Sequence, residues 1–181
     1  MQANDVHLPV ICKPIQACGT VESHLMGIVH HVEDILSFPP PFLIQEFYNH
    51  DGVIFKVFTV GKTTRMVKRQ SIRNMPVDHH DGTRLAPLMF DSQQMSKIMV
   101  DPADVDTVPY PDQKDIDLIS QGITDNFGMH IFGYDVITNN VTKKHSIVDV
   151  NFFPGFVGVH DIFEQILDLC FDLFAQKQNR N

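Results

Sequence analysis

Three oxygen-bearing side chains lie in a stretch of sequence that is predicted to form a β-hairpin. Asp135 lies in the first strand of this hairpin, and Asp149 and Asn151 lie two residues apart in the second. Side chains two residues apart point to the same face of a strand, and Asp135 can lie opposite them. Oxygen ligands with open positions suit Mg²⁺, which completes its shell with water and substrate phosphates. The spacing is equally compatible with the solvent-facing polar side of a half-buried sheet.

Two lysines interrupt apolar runs that predict buried strands. Lys13 ends the run Pro-Val-Ile-Cys-Lys, and Lys56 lies within the run from Val53 to Val60. Lysine is rarely buried without a partner, and its compact ammonium group is well suited to phosphate. A single strand lysine most often reaches water along its alkyl stem. Two of them together favour a phosphate-bearing ligand.

The distribution of charge points to the same kind of ligand. The chain has 181 residues, 14 basic and 22 acidic, for a net charge of −8, which argues against a general nucleic-acid binder. Six basic residues and no acidic residue lie between positions 56 and 73: Lys56, Lys62, Arg65, Lys68, Arg69 and Arg73. A basic patch on an acidic protein indicates a small anionic ligand. The alternative is a solvated ribbon whose edge lysines block aggregation.

Several other classes of protein find no support in the sequence. No apolar run approaches the roughly 20 residues of a membrane span, and the first residues do not resemble a signal peptide. Three cysteines without a CxxC pair are typical of a reducing compartment, so we expect a cytoplasmic or nuclear protein. The motifs of zinc proteases, Walker A loops and serine hydrolases are absent.

The apolar pattern predicts an α+β fold with antiparallel sheets and packing helices. Strands are predicted at residues 9–13, 42–48, 53–60, 63–70, 88–90, 129–138 and 145–152. Helices are predicted at residues 23–29, 113–126 and 159–176, and a turn or short helix at 32–36. Asp51-Gly52 predicts a hairpin turn between the second and third strands. Residues 71–111, rich in proline and aspartate, are predicted to be a long loop around one short strand.

Five segments in order resemble one family, the inositol 1,3,4-trisphosphate 5/6-kinases, also known as inositol-tetrakisphosphate 1-kinases. They are Cys12-Lys13-Pro14 with Gly19-Thr20 and Ser23-His24, Gln45–His50 with Gly52–Phe58, Lys68–Ile72, Phe132–Ile137, and Val148–Asn151 with Phe153–Val159. The resemblance covers nearly the whole chain and implies an ATP-grasp fold. It further implies a central lobe at residues 1–70, a long loop at 71–112, a C-terminal lobe at 113–181 and a nucleotide cleft between the lobes.

The resemblance also implies roles for individual residues. The residues implied in ATP binding are Lys13, Gln45, Glu46, Phe47, Tyr48, His50, Lys56, Arg69, Ser71, Ser92 and Ser96. Those implied in contacts with an inositol polyphosphate are His24, Lys56, Asn151 and Gly155. Two Mg²⁺ ions would be held by Asp135, Asp149 and Asn151. The residues implied in catalysis are Lys56, Asp149 and Asn151.

The chain departs from the family pattern in three places. Family members carry a further N-terminal domain that contacts inositol phosphates, whereas this chain begins almost directly before the Lys13 strand. Phe152 stands where the family's metal-binding strand has a small residue, and residues 72–112 match the family pattern poorly. We therefore expect a monomeric, ATP- and Mg²⁺-dependent inositol polyphosphate kinase without nucleic-acid or membrane partners, and little or no activity from this length of chain alone. The alternatives are a truncated, non-catalytic nucleotide-binding isoform or fragment, and an ATP-grasp carboxylate–amine ligase.

Overall fold

A computed structural model describes residues 6–16, 22–76 and 84–178. Its strands are β1 (Val10–Pro14), β2 (Leu25–Val29), β3 (Phe42–Glu46), β4 (Val53–Val60), β5 (Thr63–Gln70), β6 (Leu88–Asp91), β7 (Ile131–Thr138) and β8 (His145–Phe152). Its α-helices are α1 (Pro102–Val105), α2 (Gln113–Phe127) and α3 (Ile162–Gln178), and 3₁₀ helices cover Glu22–His24 and Val32–Ser37. The predicted Gly19-Thr20 loop lies outside the described residues.

The chain divides into two compact units. One comprises the residues up to Asp51 together with Ile72–Met99, and the other comprises Gly52–Ser71 together with the residues from Val100 onward. Each unit contains a four-stranded antiparallel sheet, which confirms the α+β prediction. Both β4 and β5 belong to the second unit. The sequence-based division into lobes at 1–70 and 113–181 stays a prediction.

The sheet of the first unit has the order β3-β1-β2-β6. Two apolar clusters pack around it. One contains Val10, Cys12, Val29 and Phe38, and the other contains Ile28, Ile72, Met75 and Ile98. Neighbouring residues Ile28 and Val29 belong to different clusters because successive side chains of a strand point to opposite faces. The end of β2 is therefore buried on both faces, at Ile28 and Val29.

The sheet of the second unit has the order β5-β4-β7-β8, and α2 packs against one of its faces. Val53, Phe55 and Val57 of β4 point to that face and are fully buried with Ile116 of α2. The remaining alternate residues of β4, including Lys56, consequently point to the opposite face. Burial of α2 therefore fixes which face of the sheet is left for polar side chains.

Helix α2 has recognisable signals at both ends. The side chain of Asp112 accepts a hydrogen bond from the backbone N–H of Lys114 at 2.8 Å, as expected for an N-cap. Gly128 ends the helix in a left-handed conformation with φ of 65°, as glycine commonly does. Ile116 and Ile123 place one apolar face on the sheet. These signals confirm the predicted helix to within a residue at its C-terminal end.

The predicted helix over residues 23–29 is wrong. The chain forms a short 3₁₀ helix at Glu22–His24 and then the strand β2. A short apolar run is compatible with either a buried helix or a buried strand. Pairing with β1 and β6 determines the outcome. At Gly27, an added Cβ would lie 2.3 Å from the Phe38 ring, so the missing side chain gives this ring its place against the strand.

The predicted hairpin at Asp51-Gly52 is also wrong. Asp51 and Gly52 adopt left-handed backbone conformations with φ of 53° and 64°, as turn residues often do. However, β3 pairs with β1, while β4 pairs with β5 and β7. An added Cβ at Gly52 would lie 1.9 Å from Val100. The local turn signal was correct, but it carried no information about which strands pair.

The remaining predicted elements agree with the structure to within a few residues. The bounds predicted for β4, β5 and β8 match, and α3 begins at Ile162 rather than at residue 159. The predicted loop over residues 71–111 contains β6 and α1. Helix α3 exposes large apolar side chains, among them Phe163 with 76% and Phe171 with 70% exposure. Among the described residues, no helix is both long and apolar enough to cross a membrane.

Candidate active site

A row of three charged residues crosses the second sheet. Lys56 of β4 pairs in register with Asp135 of β7, which in turn pairs with Asp149 of β8. The Lys56 ammonium nitrogen lies 3.1 and 3.0 Å from the two carboxylate oxygens of Asp135. The Asp135 side chain is 14% exposed and that of Lys56 is 42% exposed. The row therefore combines a partly buried carboxylate with a cation that remains open to solvent.

Asn151 completes the polar group that the hairpin spacing predicted. Its side-chain nitrogen donates to a carboxylate oxygen of Asp149 at 2.8 Å, so the two side chains lie together on one face. Asp135 and Asp149 are cross-strand partners, and like charges directly opposite each other destabilise a sheet. Lys56 compensates one of these two negative charges. A bound cation would compensate the other, and carboxylate and amide oxygens are the ligands that Mg²⁺ takes.

This group differs from a preformed metal centre made only of charged or imidazole ligands. Within residues 6–16, 22–76 and 84–178, no three or more His, Cys, Asp and Glu side chains form a group that could hold a metal. The hairpin supplies two carboxylates and an amide oxygen, which leaves several coordination positions for water or phosphate oxygens. Such a donor set fits Mg²⁺, since this ion usually keeps several waters.

The loop that follows β8 packs on the same side of the sheet. The Arg69 guanidinium donates to the carbonyl of Val157 at 3.0 Å. Gly158 has a φ of 87°, and a Cβ added there would lie 2.9 Å from the Arg69 guanidinium. A Cβ added at Gly133 would lie 2.8 Å from Pro154. Gly133 and Gly158 thus allow the loop to lie close to the sheet. Arg69 holds the C-terminal part of the loop through its bond to Val157.

Gly155 lies within this loop and is exposed. A Cβ added at Gly155 would meet nothing within 4 Å, so its backbone is accessible to a ligand. The Phe156 ring lies 5.6 Å from the Phe58 ring and 5.8 Å from the Phe153 ring. These aromatic contacts hold the loop on both sides of the exposed glycine.

In the first unit, the end of β3 presents backbone groups at an open sheet edge. β3 is an edge strand that pairs only with β1 in the described sheet. The N–H of Phe47 donates to the carbonyl of Pro9 at 2.9 Å. Because backbone groups of successive residues alternate in direction, the carbonyl of Glu46 and the N–H of Tyr48 point away from β1. This edge therefore offers an acceptor and a donor side by side.

The side chains of Glu46 and Tyr48 bond to each other rather than outward. The Tyr48 hydroxyl donates to the Glu46 carboxylate, and His7 donates to the same carboxylate through its backbone N–H at 2.7 Å. These bonds, that of Tyr48 foremost, lower the pKa of Glu46 to about 2. The negative Glu46 carboxylate raises the pKa of Tyr48 in turn. Because these two side chains bond to each other, the outward backbone groups of Glu46 and Tyr48 are candidate contacts for a ligand.

His50 is buried below the same segment. His50 is only 5% exposed, and its Nδ1 lies 2.7 Å from the Tyr48 carbonyl oxygen. Its ring lies 5.7 Å from that of Phe47 in an edge-on arrangement. Burial lowers the pKa of His50, because desolvation disfavours the charged imidazolium. His50 therefore supports the segment from within.

The structure brings together two predicted residues that are far apart in the sequence. His24 ends the first 3₁₀ helix, and its Nδ1 lies 3.4 Å from the Ser92 hydroxyl after β6. The Ser92 backbone N–H donates to the His24 carbonyl at 2.8 Å. Gln93 lies beside them, with its side-chain nitrogen 3.0 Å from His24 Nε2. Gln93 is thus part of this cluster although sequence reasoning missed it.

The other predicted residues lie on several elements of the two units. Lys13 of β1 pairs in register with Leu43 of β3. Gln45 of β3 pairs with Ile11 of β1. Ser71 is buried, and its backbone N–H donates to the Gly52 carbonyl at 2.6 Å. Ser96 lies in an exposed turn before Ile98. The structure does not bring Ser96 into the cluster of His24 and Ser92.

Comparison with known proteins identifies the fold and then the family. Residues 1–172 match the family described as the inositol 1,3,4-trisphosphate 5/6-kinase ATP-grasp domain. The two antiparallel sheets with packing helices accordingly form an ATP-grasp domain. Because the match covers nearly the entire chain, the protein belongs to this inositol 1,3,4-trisphosphate 5/6-kinase family, which confirms the resemblance seen in the sequence.

Individual relatives give the same result. The chain is 35% identical over 173 residues to an inositol-tetrakisphosphate 1-kinase from Danio rerio, which covers 92% of this chain and 43% of the relative. It is 34% identical over 174 residues to the Xenopus laevis protein of the same name, covering 93% and 43%. Inositol-tetrakisphosphate 1-kinase 1 from Arabidopsis thaliana is 27% identical over 97% of this chain and 57% of its own length. The chain thus spans less than half the length of the two vertebrate relatives.

Proposed function

We propose that this domain binds Mg·ATP and belongs to a kinase that phosphorylates inositol polyphosphates. The observation that carries the proposal is the row formed by Lys56, Asp135 and Asp149 across a sheet of an ATP-grasp domain. The substrate class comes from the relatives, which are inositol-tetrakisphosphate 1-kinases. The basic stretch that contains Lys56, Arg65 and Arg69 favours a highly anionic substrate over a simple carboxylate.

Asp135, Asp149 and Asn151 are the residues that would hold Mg²⁺, in two ions according to the family resemblance. When bound, the metal neutralises charge on the phosphates of the nucleotide during transfer. The chain's own contribution is to fix the two carboxylates on adjacent strands and to keep Lys56 beside them. Lys56 can turn from Asp135 to a phosphate because its ammonium group remains partly exposed.

The edge of β3 supports a role in recognising adenine. The Glu46 carbonyl matches the amino group of adenine, and the Tyr48 N–H matches the neighbouring ring nitrogen, which accepts a hydrogen bond. In this proposal Gln45, Phe47 and His50 shape the segment, while Lys13, Arg69 and Ser71 belong to the nucleotide site. Ser92 and Ser96 are proposed as further nucleotide contacts.

The inositol polyphosphate is proposed to contact His24, Lys56, Asn151 and Gly155. The open space around Gly155 supports close approach of a bulky phosphorylated ring. Transfer forms a bond between a substrate hydroxyl oxygen and the terminal phosphorus of ATP and breaks the bond from that phosphorus to ADP. Lys56, Asp149 and Asn151 would orient the reacting groups, which is the main demand of such a reaction. We further propose a monomer in the cytoplasm or nucleus.

An acceptor screen with ATP labelled on its terminal phosphate tests the reaction class. We expect little transfer of label by this length of chain, and that transfer should go to inositol polyphosphates and depend on Asp149. ADP formation that requires a carboxylate together with an amine would instead identify a carboxylate–amine ligase. Retained Mg·ATP binding without transfer to any acceptor would contradict kinase activity in this chain and favour the non-catalytic alternative.

A further inference from the structure

Two asparagines bond the residues that follow the β3 edge. The side-chain nitrogen of Asn49 donates to the Met75 carbonyl at 2.7 Å, and its side-chain oxygen accepts from the Met75 N–H at 2.7 Å. Met75 is buried in a cluster with Ile28 and Ile98. Asn49 is thereby held by two hydrogen bonds to a backbone that the apolar core fixes.

Asn74 makes three hydrogen bonds to His50 and Asp51, the two residues that follow Asn49. Its side-chain oxygen accepts from the backbone N–H of His50 at 3.1 Å and from that of Asp51 at 2.9 Å. Its side-chain nitrogen donates to the Asp51 carboxylate at 2.8 Å. Asp51 has a left-handed backbone with φ of 53°, which a non-glycine residue adopts only at some cost. One amide thus serves both N–H groups of a turn and holds its unusual conformation.

We propose that Asn49 and Asn74 are positioning residues for adenine, an inference that rests on the nucleotide site proposed above. The segment of interest ends at Tyr48, whose carbonyl accepts from the buried His50 ring. His50 is in turn held through its backbone N–H by Asn74. Asn74 therefore acts on the Tyr48 N–H through His50. Asn49 lies between Tyr48 and His50, and its two bonds to Met75 fix the backbone there. Neither asparagine needs to touch the nucleotide.

A fixed segment has a specific advantage for binding. The Glu46 carbonyl and the Tyr48 N–H bind adenine together only if the backbone between and after them keeps one conformation. Ordering this segment during binding would cost conformational entropy, and the two asparagines remove that cost in advance. The effect should fall on ligands that carry the base. Ligands that offer phosphates alone should be insensitive to it.

The test compares two probes on the full 181-residue chain, Mg·ATP and Mg·tripolyphosphate, by titration calorimetry. For Asn74→Ala we expect Mg·ATP binding weakened on the order of tenfold and tripolyphosphate binding changed by less than about twofold. Asn126→Ala is the matched control, because Asn126 also donates its amide to a backbone carbonyl, that of Gly122, but on α2. It should bind both probes like the parent chain.

A second variant separates positioning from general damage to the fold. The exchange Asp51→Asn with Asn74→Asp keeps both acceptor contacts at position 74 and reverses the donor between the two side chains. We expect it to recover most of the Mg·ATP affinity that Asn74→Ala loses. Unchanged Mg·ATP binding in Asn74→Ala would overturn the inference, as would an equal loss of both probes. A parent chain that binds neither probe would instead refute the proposed nucleotide site, and this inference with it.

Discussion

Lys56 and Asp135 form a two-oxygen ion pair across neighbouring strands, with distances of 3.0 and 3.1 Å from the ammonium nitrogen. The pair lies directly beside Asp149, the cross-strand partner of Asp135. Lys56 is thus a neighbouring cation that offsets one of the two opposed negative charges. Ligand binding would free Lys56 for a phosphate when a metal takes over the carboxylates.

Replacing Lys56 by methionine should increase the effect of Mg²⁺ on stability. Without the ammonium group, Asp135 and Asp149 repel each other, and a bound dication relieves that repulsion. Without Mg²⁺, the variant should lose less than about 1 kcal/mol of unfolding free energy, because Lys56 is 42% exposed and screened by solvent. Thermal unfolding with and without Mg²⁺ measures both effects. An Mg²⁺-induced rise in Tm equal to that of the parent chain would contradict the account, and the exposed Lys144→Met is the control.

The buried His50 should make stability fall in mild acid. Its pKa is lowered in the folded chain, whereas an unfolded histidine titrates near about 6.5. The unfolded state therefore binds more protons below that pH, so the contribution is complete above about pH 6.5 and is lost as pH falls toward the folded pKa. Urea unfolding between about pH 5 and 7.5 should show this slope.

His50→Gln should flatten that slope because glutamine keeps a donor for the Tyr48 carbonyl but does not titrate. The exposed His160→Gln serves as the control and should leave the slope unchanged. An identical slope in His50→Gln and the parent chain would assign the acid sensitivity to other groups.

Tyr134→Phe should destabilise the second unit. The Tyr134 hydroxyl lies 2.8 Å from the Ser120 hydroxyl and donates to the Ile116 carbonyl at 3.0 Å, and burial raises its pKa to about 12. Losing these buried bonds should cost about 1–2 kcal/mol in urea unfolding. Tyr110→Phe is the matched control: Tyr110 is 53% exposed and its ring, which lies 4.6 Å from the Lys68 nitrogen, is retained. Equal losses of unfolding free energy in the two variants would show that the buried hydrogen bonds of Tyr134 do not stabilise the unit more than an exposed hydroxyl does.

Two glycines of the loop after β8 should respond differently to alanine. Gly158→Ala meets a positive φ of 87° and the Arg69 guanidinium, so we expect a loss of about 1–3 kcal/mol in unfolding free energy. Gly155→Ala meets open space and should change stability by less than about 0.5 kcal/mol. Similar unfolding curves for both variants would mean that Arg69 does not hold the loop as described.

Much of the second unit could be predicted because its signals are local. The apolar run from Val53 to Val60 marked β4, and the bounds predicted for β5 and β8 match the structure. The two-residue spacing of Asp149 and Asn151, together with a hairpin, was enough to predict their shared face with Asp135. The family resemblance added the nature of the ligands, which spacing alone could not supply.

What sequence reasoning missed depends on pairing and on backbone partners. The run Leu25–Val29 is compatible with helix or strand, and only pairing with β1 and β6 decides between them. The bond from Arg69 to the Val157 carbonyl has no side-chain signature at Val157. The same holds for Asn49, which bonds to the backbone of Met75, 26 positions away.

Calorimetric titration of Mg·ATP into the parent chain and into Asp149→Ala tests the central claim most directly. Asp149 is exposed on β8 and bonds to Asn151, so its removal should leave the fold intact. The account predicts measurable Mg·ATP affinity in the parent chain and a loss on the order of tenfold or more in the variant, because the dication loses one of two carboxylates. Asp125→Ala on α2 should bind like the parent chain. Equal Mg·ATP affinity in Asp149→Ala and the parent chain would contradict the assignment of the metal site.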